Sequence, residues 1–162
     1  MKARLFNNLL LFSLFGITLG FFGVLYEGVV YGPKFLDTSI ERMLFWKSFT
    51  SVISPIPFYI PWDPLAAVIA LTLFFITSKQ QVLIKKQLKW ASIFQIASLV
   101  LTFYILFQIN FKQSFGNLEK YAAEIPFKVI LFNILSICRI SFAAIAMSFA
   151  FKAYIQTQKV QI

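Results

Sequence analysis

Histidine is absent from the 162 residues, and cysteine occurs once, at Cys138. No disulfide can close within one chain, no Cys–His metal site can be assembled, and no histidine can ligate a haem. Dithiol chemistry, which needs paired cysteines, is excluded with them, so neither a metal nor a cofactor is expected. Charge is scarce too: 13% of residues are charged, against about a quarter in soluble domains. Acids are the rarest charged class, with 6 against 15 Lys and Arg. There is no internal repeat, which argues against inverted-repeat transporters, and no low-complexity segment.

What is present in excess is apolar. Hydrophobic residues make up 59% of the chain and 21 of them are Phe. Four runs approach the roughly 20 apolar residues that cross a hydrocarbon layer of about 30 Å. They predict spans over 6–31, 63–79, 88–110 and 126–154, the second being the shortest. The expected fold is a single all-α domain over 1–162, an integral membrane four-helix bundle. Lys2 and Arg4 precede the first run as in a secretory signal. That run, Leu9–Tyr26, is nevertheless long for a signal, and no small-x-small site follows it. We read it as an uncleaved first span.

Charge sets the expected topology. Lys2, Arg4, Lys79, Lys85, Lys86, Lys89, Lys152 and Lys159 fall on one side with no acid among them. Glu27, Asp37, Glu41, Asp63, Glu119 and Glu124 all fall on the other. Short cytoplasmic loops are rich in Lys and Arg, so both termini are expected in the cytoplasm, in a bacterial inner membrane. The net charge of +9 then reflects topology and contact with anionic membrane lipids. It does not call for nucleic acid.

The connection Gly28–Pro61 is too long to be a bare loop. Ile40, Met43, Leu44, Val52 and Ile53 recur at near-helical spacing, which predicts an amphipathic interfacial helix over 38–54. Pro55, Pro57, Pro61 and Pro64 end it. Asp63 then reads as an N-cap and Pro64 as the first helical residue of the second span.

One residue breaks the apolar rule. Arg139 lies near the middle of the last run, where facing lipid costs at least about 2.5–3.5 kcal/mol. It shares a stripe with Asn133, Ser136, Ala143, Ala146 and Ala150, and that stripe is expected to face the bundle. Glu27 is the acid nearest in depth, some 10 Å further out by helix rise. Thr18, Thr72, Thr102, Asn133 and Ser136 fall at depths from which they can satisfy the remaining guanidinium donors. On the first span Gly16, Gly20 and Gly23 share one face with Glu27. Such glycines serve close helix packing, or they open a groove for a flat ligand with Glu27 at its mouth. Cys138 points away from the stripe and reads as a small apolar residue.

Two stretches carry a resemblance: GITLGFFGVLYEGVVYGPKFL in the first span and FNILSICRISFAAIAMSFAF in the last. In layout the chain resembles the anthrone-oxygenase-like family of small four-helix membrane proteins, mostly of unknown function. Phe132 stands where family members often place Trp. The resemblance implies cofactor-independent oxidation of an aromatic, quinone-like molecule, with Glu27 as base and Arg139 as oxyanion stabiliser. Two readings stay open. In one, Arg139 and Glu27, with Gly16, Gly20, Gly23, Thr102, Asn133 and Ser136, line a pocket for a hydrophobic small molecule. In the other, Arg139 and Glu27 tie two helices together in a structural subunit that has a membrane-protein partner.

Overall fold

The computed structural model describes residues 3–31, 39, 41, 44, 45, 47, 48, 61–109 and 119–160. The regular structure in them is helical. Helix α1 covers Ala3–Tyr26 and continues as a π-turn over Glu27–Tyr31. Helix α2 is Trp62–Ile76, α3 is Val82–Tyr104, and α4 is Ile125–Val160. A 3₁₀ segment, Glu119–Glu124, leads into α4.

Three stretches, Arg4–Val30, Val82–Ile109 and Ile125–Lys159, are long and apolar enough to cross a membrane. Helix α2 is not. Its 15 residues rise only about 22 Å; it starts at Trp62, one residue before the span expected over 63–79, and stops three residues short of that span's end. Pro61 and Pro64 limit its start, and Thr77 is extended, with ψ 127°. Conversely, α3 begins six residues before its expected start and α4 runs beyond residue 154. Lys, Gln and Ala favour helix as well as Leu does, so the helix outlasts the apolar run. Of the expected interfacial helix, Glu41, Leu44, Phe45, Lys47 and Ser48 have helical backbone and Ser39 does not; the rest of 38–54 lies outside the described residues.

The four helices form an antiparallel ring, and each neighbouring pair is fixed by contacts that run in opposite chain directions. Ser13 and Gly20 of α1 meet Ala66 and Asp63 of α2. Asp63 and Leu73 of α2 meet Gln95 and Ile84 of α3. Leu88 of α3 and Ile105, the residue just past its end, pack with Ala153 and Val129 of α4. Glu27 and Leu10 close the ring on Arg139 and Ala153.

The core has three apolar layers. Leu10, Leu73, Ile84, Leu88 and Ala153 fill the end that carries the termini. Ile17, Ala66, Ala70, Ala91, Ala146 and Ala150 form a thin middle layer, where alanines let backbones approach. Ile105, Ile109, Ile125, Val129 and Phe132 fill the far end. At the terminal end Lys85 Nζ donates to the Thr77 carbonyl at 3.2 Å, fastening the short α2–α3 connection. Lys85, Lys89 and Lys152 lie over the rings of Phe74, Trp90 and Phe149.

Candidate functional site

Between the middle and far apolar layers lies a polar one. Arg139 is only 1% exposed, and its Nη2 donates to Glu27 Oε2 at 2.8 Å. The apolar run around it leaves the guanidinium no water, so the side chain turns inward to its counter-charge. Glu27 opens the π-turn at the end of α1. Such a wide turn re-aims the residues that follow it and often occurs at functional sites. The next residue, Gly28, lies against α4: a Cβ there would come 2.7 Å from Ile140 Cδ1.

The stripe on α4 faces the ring. Ser136, Arg139, Ala143, Ala146 and Ala150 are all buried, while Asn133 is only half-buried. Ser98 of α3 donates from Oγ to the Arg139 carbonyl at 3.3 Å. The threonines do not reach the guanidinium. Thr18, Thr72 and Thr102 each donate to a carbonyl four residues earlier in their own helix, at 2.8, 2.8 and 2.9 Å. Thr72 is exposed. In a water-free layer that local carbonyl is always within reach, so a lone hydroxyl is satisfied without crossing to a neighbour.

The expectation that fails most plainly concerns Asp63. It is neither an N-cap nor an acid on the far surface: Pro61 occupies the cap position, and Asp63 is 2% exposed inside the ring. Its carboxylate accepts a hydrogen bond from Gln95 Nε2 of α3. The charge of Arg139 also reaches it. Two buried carboxyl groups, one on the turn that follows α1 and one on α2, are therefore under the influence of one guanidinium from α4, and Glu27 is the one bonded to it.

The glycines of α1 explain how Asp63 fits. A Cβ on Gly20 would stand 2.6 Å from Asp63 Cγ, and one on Gly16 would stand 2.6 Å from Ala66 Cβ. Both distances are far inside van der Waals contact, so the missing side chains make room for α2. At Gly16 and Gly20 the face is filled by protein and is no open groove. Gly23 is buried.

The layer is incompletely satisfied. Arg139 Nε, Ser136 Oγ and Gln95 Oε1 are buried and have no hydrogen-bond partner among the described residues. Ser136 precedes Arg139 by three residues, which puts the two on one helix face. Both groups can bond a carbonyl or anionic oxygen. A pocket of about 390 Å³ lies elsewhere, at the terminal end between Gln80, Val82, Ile84, Gln156 and Lys159. No metal-binding group of three His, Cys, Asp or Glu residues occurs among the described residues. Cys138 is exposed on the outer face of the ring.

Sequence reasoning missed Asp63, Gln95 and Ser98 as site residues. A signal for the last two was present: Ser92, Gln95, Ser98 and Thr102 recur at three, three and four residues through the otherwise apolar part of α3 after Lys89, and all four are buried. Compared with known proteins, the chain matches no protein-family model, no curated protein and no solved structure.

Proposed function

We propose that the chain is a small integral membrane protein whose four helices hold the polar end of a lipid-soluble molecule at Arg139. Both termini face the cytoplasm of a bacterial inner membrane, because Lys2, Arg4, Lys79, Lys85, Lys86, Lys89, Lys152 and Lys159 gather at that end without an acid. Leu44 and Phe45, exposed on helical backbone, lie in the opposite interface toward the acyl chains. The observation that carries the ligand reading is the unsatisfied pair on α4, Arg139 Nε and Ser136 Oγ. Burying a donor unpaired costs about 1–3 kcal/mol, more for a charged group. A carbonyl-bearing or anionic amphiphile removes that cost and leaves its tail among the apolar side chains.

The oxygenase role implied by the family resemblance needs Glu27 and Arg139 to act separately on a substrate. Here they are bonded to each other, which favours binding over turnover. The same bond, at 2.8 Å, favours a second reading, in which the pair serves only as a tie between α1 and α4 in an accessory subunit.

Organic extraction of the purified protein followed by mass spectrometry separates the two. The ligand reading expects a co-purifying oxygen-bearing amphiphile that is enriched over bulk lipid and lost in Ser136→Ala and Arg139→Gln. Extracts matching bulk lipid in all three proteins refute it and leave the tie.

A further inference from the structure

Asp63 is a buried acid that neither reading uses. It sits at the start of α2, packed against α1 at Gly20, against α3 at Gln95, and near α4 at Arg139. The charged groups that face it are therefore few. Helix α4 presents Arg139, and Glu27 of α1 lies beyond Arg139 as its bonded partner. From α3 comes only the neutral Gln95. Arg139 is thus the cation that acts on Asp63, and its Nη2 is already held by Glu27. An ionised Asp63 has no counter-charge of its own, in a layer where an unpaired carboxylate is costly enough that such groups neutralise instead.

Gln95 supplies the second observation. It is 1% exposed, and its Oε1 has no partner although Nε2 is bonded to Asp63. A carboxylate accepts from Nε2. A carboxylic acid, carrying one O–H, donates to Oε1 after half a turn of the amide. The side chain bonded to Asp63 can therefore pair with either protonation state. Gly20 keeps the carboxyl against it, since a Cβ there would stand 2.6 Å from Asp63 Cγ.

We propose that Asp63 is a proton-binding site within the membrane, occupied in the resting protein, with Gln95 as its positioning residue. Uptake places H⁺ from water on a carboxylate oxygen and leaves Arg139 wholly to Glu27. Release returns the proton to water and sets the Asp63 carboxylate in competition with Glu27 for the guanidinium. The α1–α4 tie is thereby coupled to proton occupancy on α2. This holds whether or not a ligand binds at Arg139, so its test is independent of the extraction experiment.

Infrared difference spectroscopy of the full chain in lipid nanodiscs, titrated from acid to alkaline, tests the proposal. The expected result is a protonated-carboxyl C=O band at neutral pH that shifts in D₂O and disappears in Asp63→Asn. It should weaken in Glu27→Gln, where the freed guanidinium draws an ionised Asp63, and move to the frequency of a free acid in Gln95→Leu. Asn has the size of Asp and mimics the neutral acid; should that variant fail to assemble, the Gln95→Leu shift decides alone. No protonated band in the wild type at neutral pH, or a band that Gln95→Leu leaves unmoved, overturns the assignment.

Discussion

Replacing Glu27 by Gln keeps the shape of the partner and removes its charge, leaving Arg139 buried at 1% exposure without the oxygen 2.8 Å from its Nη2. Removing one member of a buried ion pair costs about 3–5 kcal/mol, chiefly because the survivor is uncompensated. That is roughly two to three and a half orders of magnitude in the folding equilibrium. Two features of the site place the value near the lower end. The Gln amide oxygen still accepts a hydrogen bond, and Asp63 lies close enough to take over part of the charge. We expect about 3 kcal/mol for Glu27→Gln and a larger loss when Asp63→Asn is added, the two effects being coupled through one guanidinium. Glu27→Gln combined with Arg139→Gln, which removes both charges, should recover most of the loss. Reversible unfolding in mixed micelles, followed by steric trapping or circular dichroism, measures the wild type, the three single variants and the two double variants. A loss below about 1 kcal/mol for Glu27→Gln, in the range of an exposed pair, would refute the claim that this charge is held by its partner. So would a double variant as unstable as the sum of its singles.

Gly20→Ala should cost about 1–3 kcal/mol through overpacking, because the new Cβ meets Asp63 Cγ at 2.6 Å; the same unfolding assay reads it, and a neutral effect contradicts the packed α1–α2 seam. Cys138, exposed on a helix face amid Ile134, Ile137 and Ser141, should react with a lipid-soluble maleimide and resist a charged one in intact vesicles; equal labelling by both would place this part of α4 in water.

Much of the architecture was legible because long apolar runs obey few rules and strict ones. Arg139 in the centre of an apolar run had to face protein, and Glu27 was the acid within reach; the two are bonded. The alanine stripe of α4 was readable from its period. Asp63 was not. Its setting, a Pro-rich loop followed by Trp-Asp-Pro, carries the local signature of a helix start, and local chemistry alone says nothing of a neighbouring glycine that admits a carboxyl. That signal is tertiary: Gly20 on α1 and Gln95 on α3 each explain half of it. The threonines failed for the opposite reason. Their depth was right, yet the carbonyl four residues back competes at no entropic cost. The short α2 was foreshadowed by its run length but not by its prolines, which permit a helix start at several positions.

The polar contacts also have an order in time. Ser13 to the Ala66 carbonyl, Gln95 to Asp63, Ser98 to the Arg139 carbonyl, and Arg139 to Glu27 each bridge a different neighbouring pair of helices. Three of these join helices adjacent in the chain and can form as each one follows its predecessor out of the ribosome. The fourth spans 112 positions and waits for the last helix. Glu27 is therefore made long before its mate, and Arg139 arrives to find an anion already in place. Biogenesis ends with the clasp.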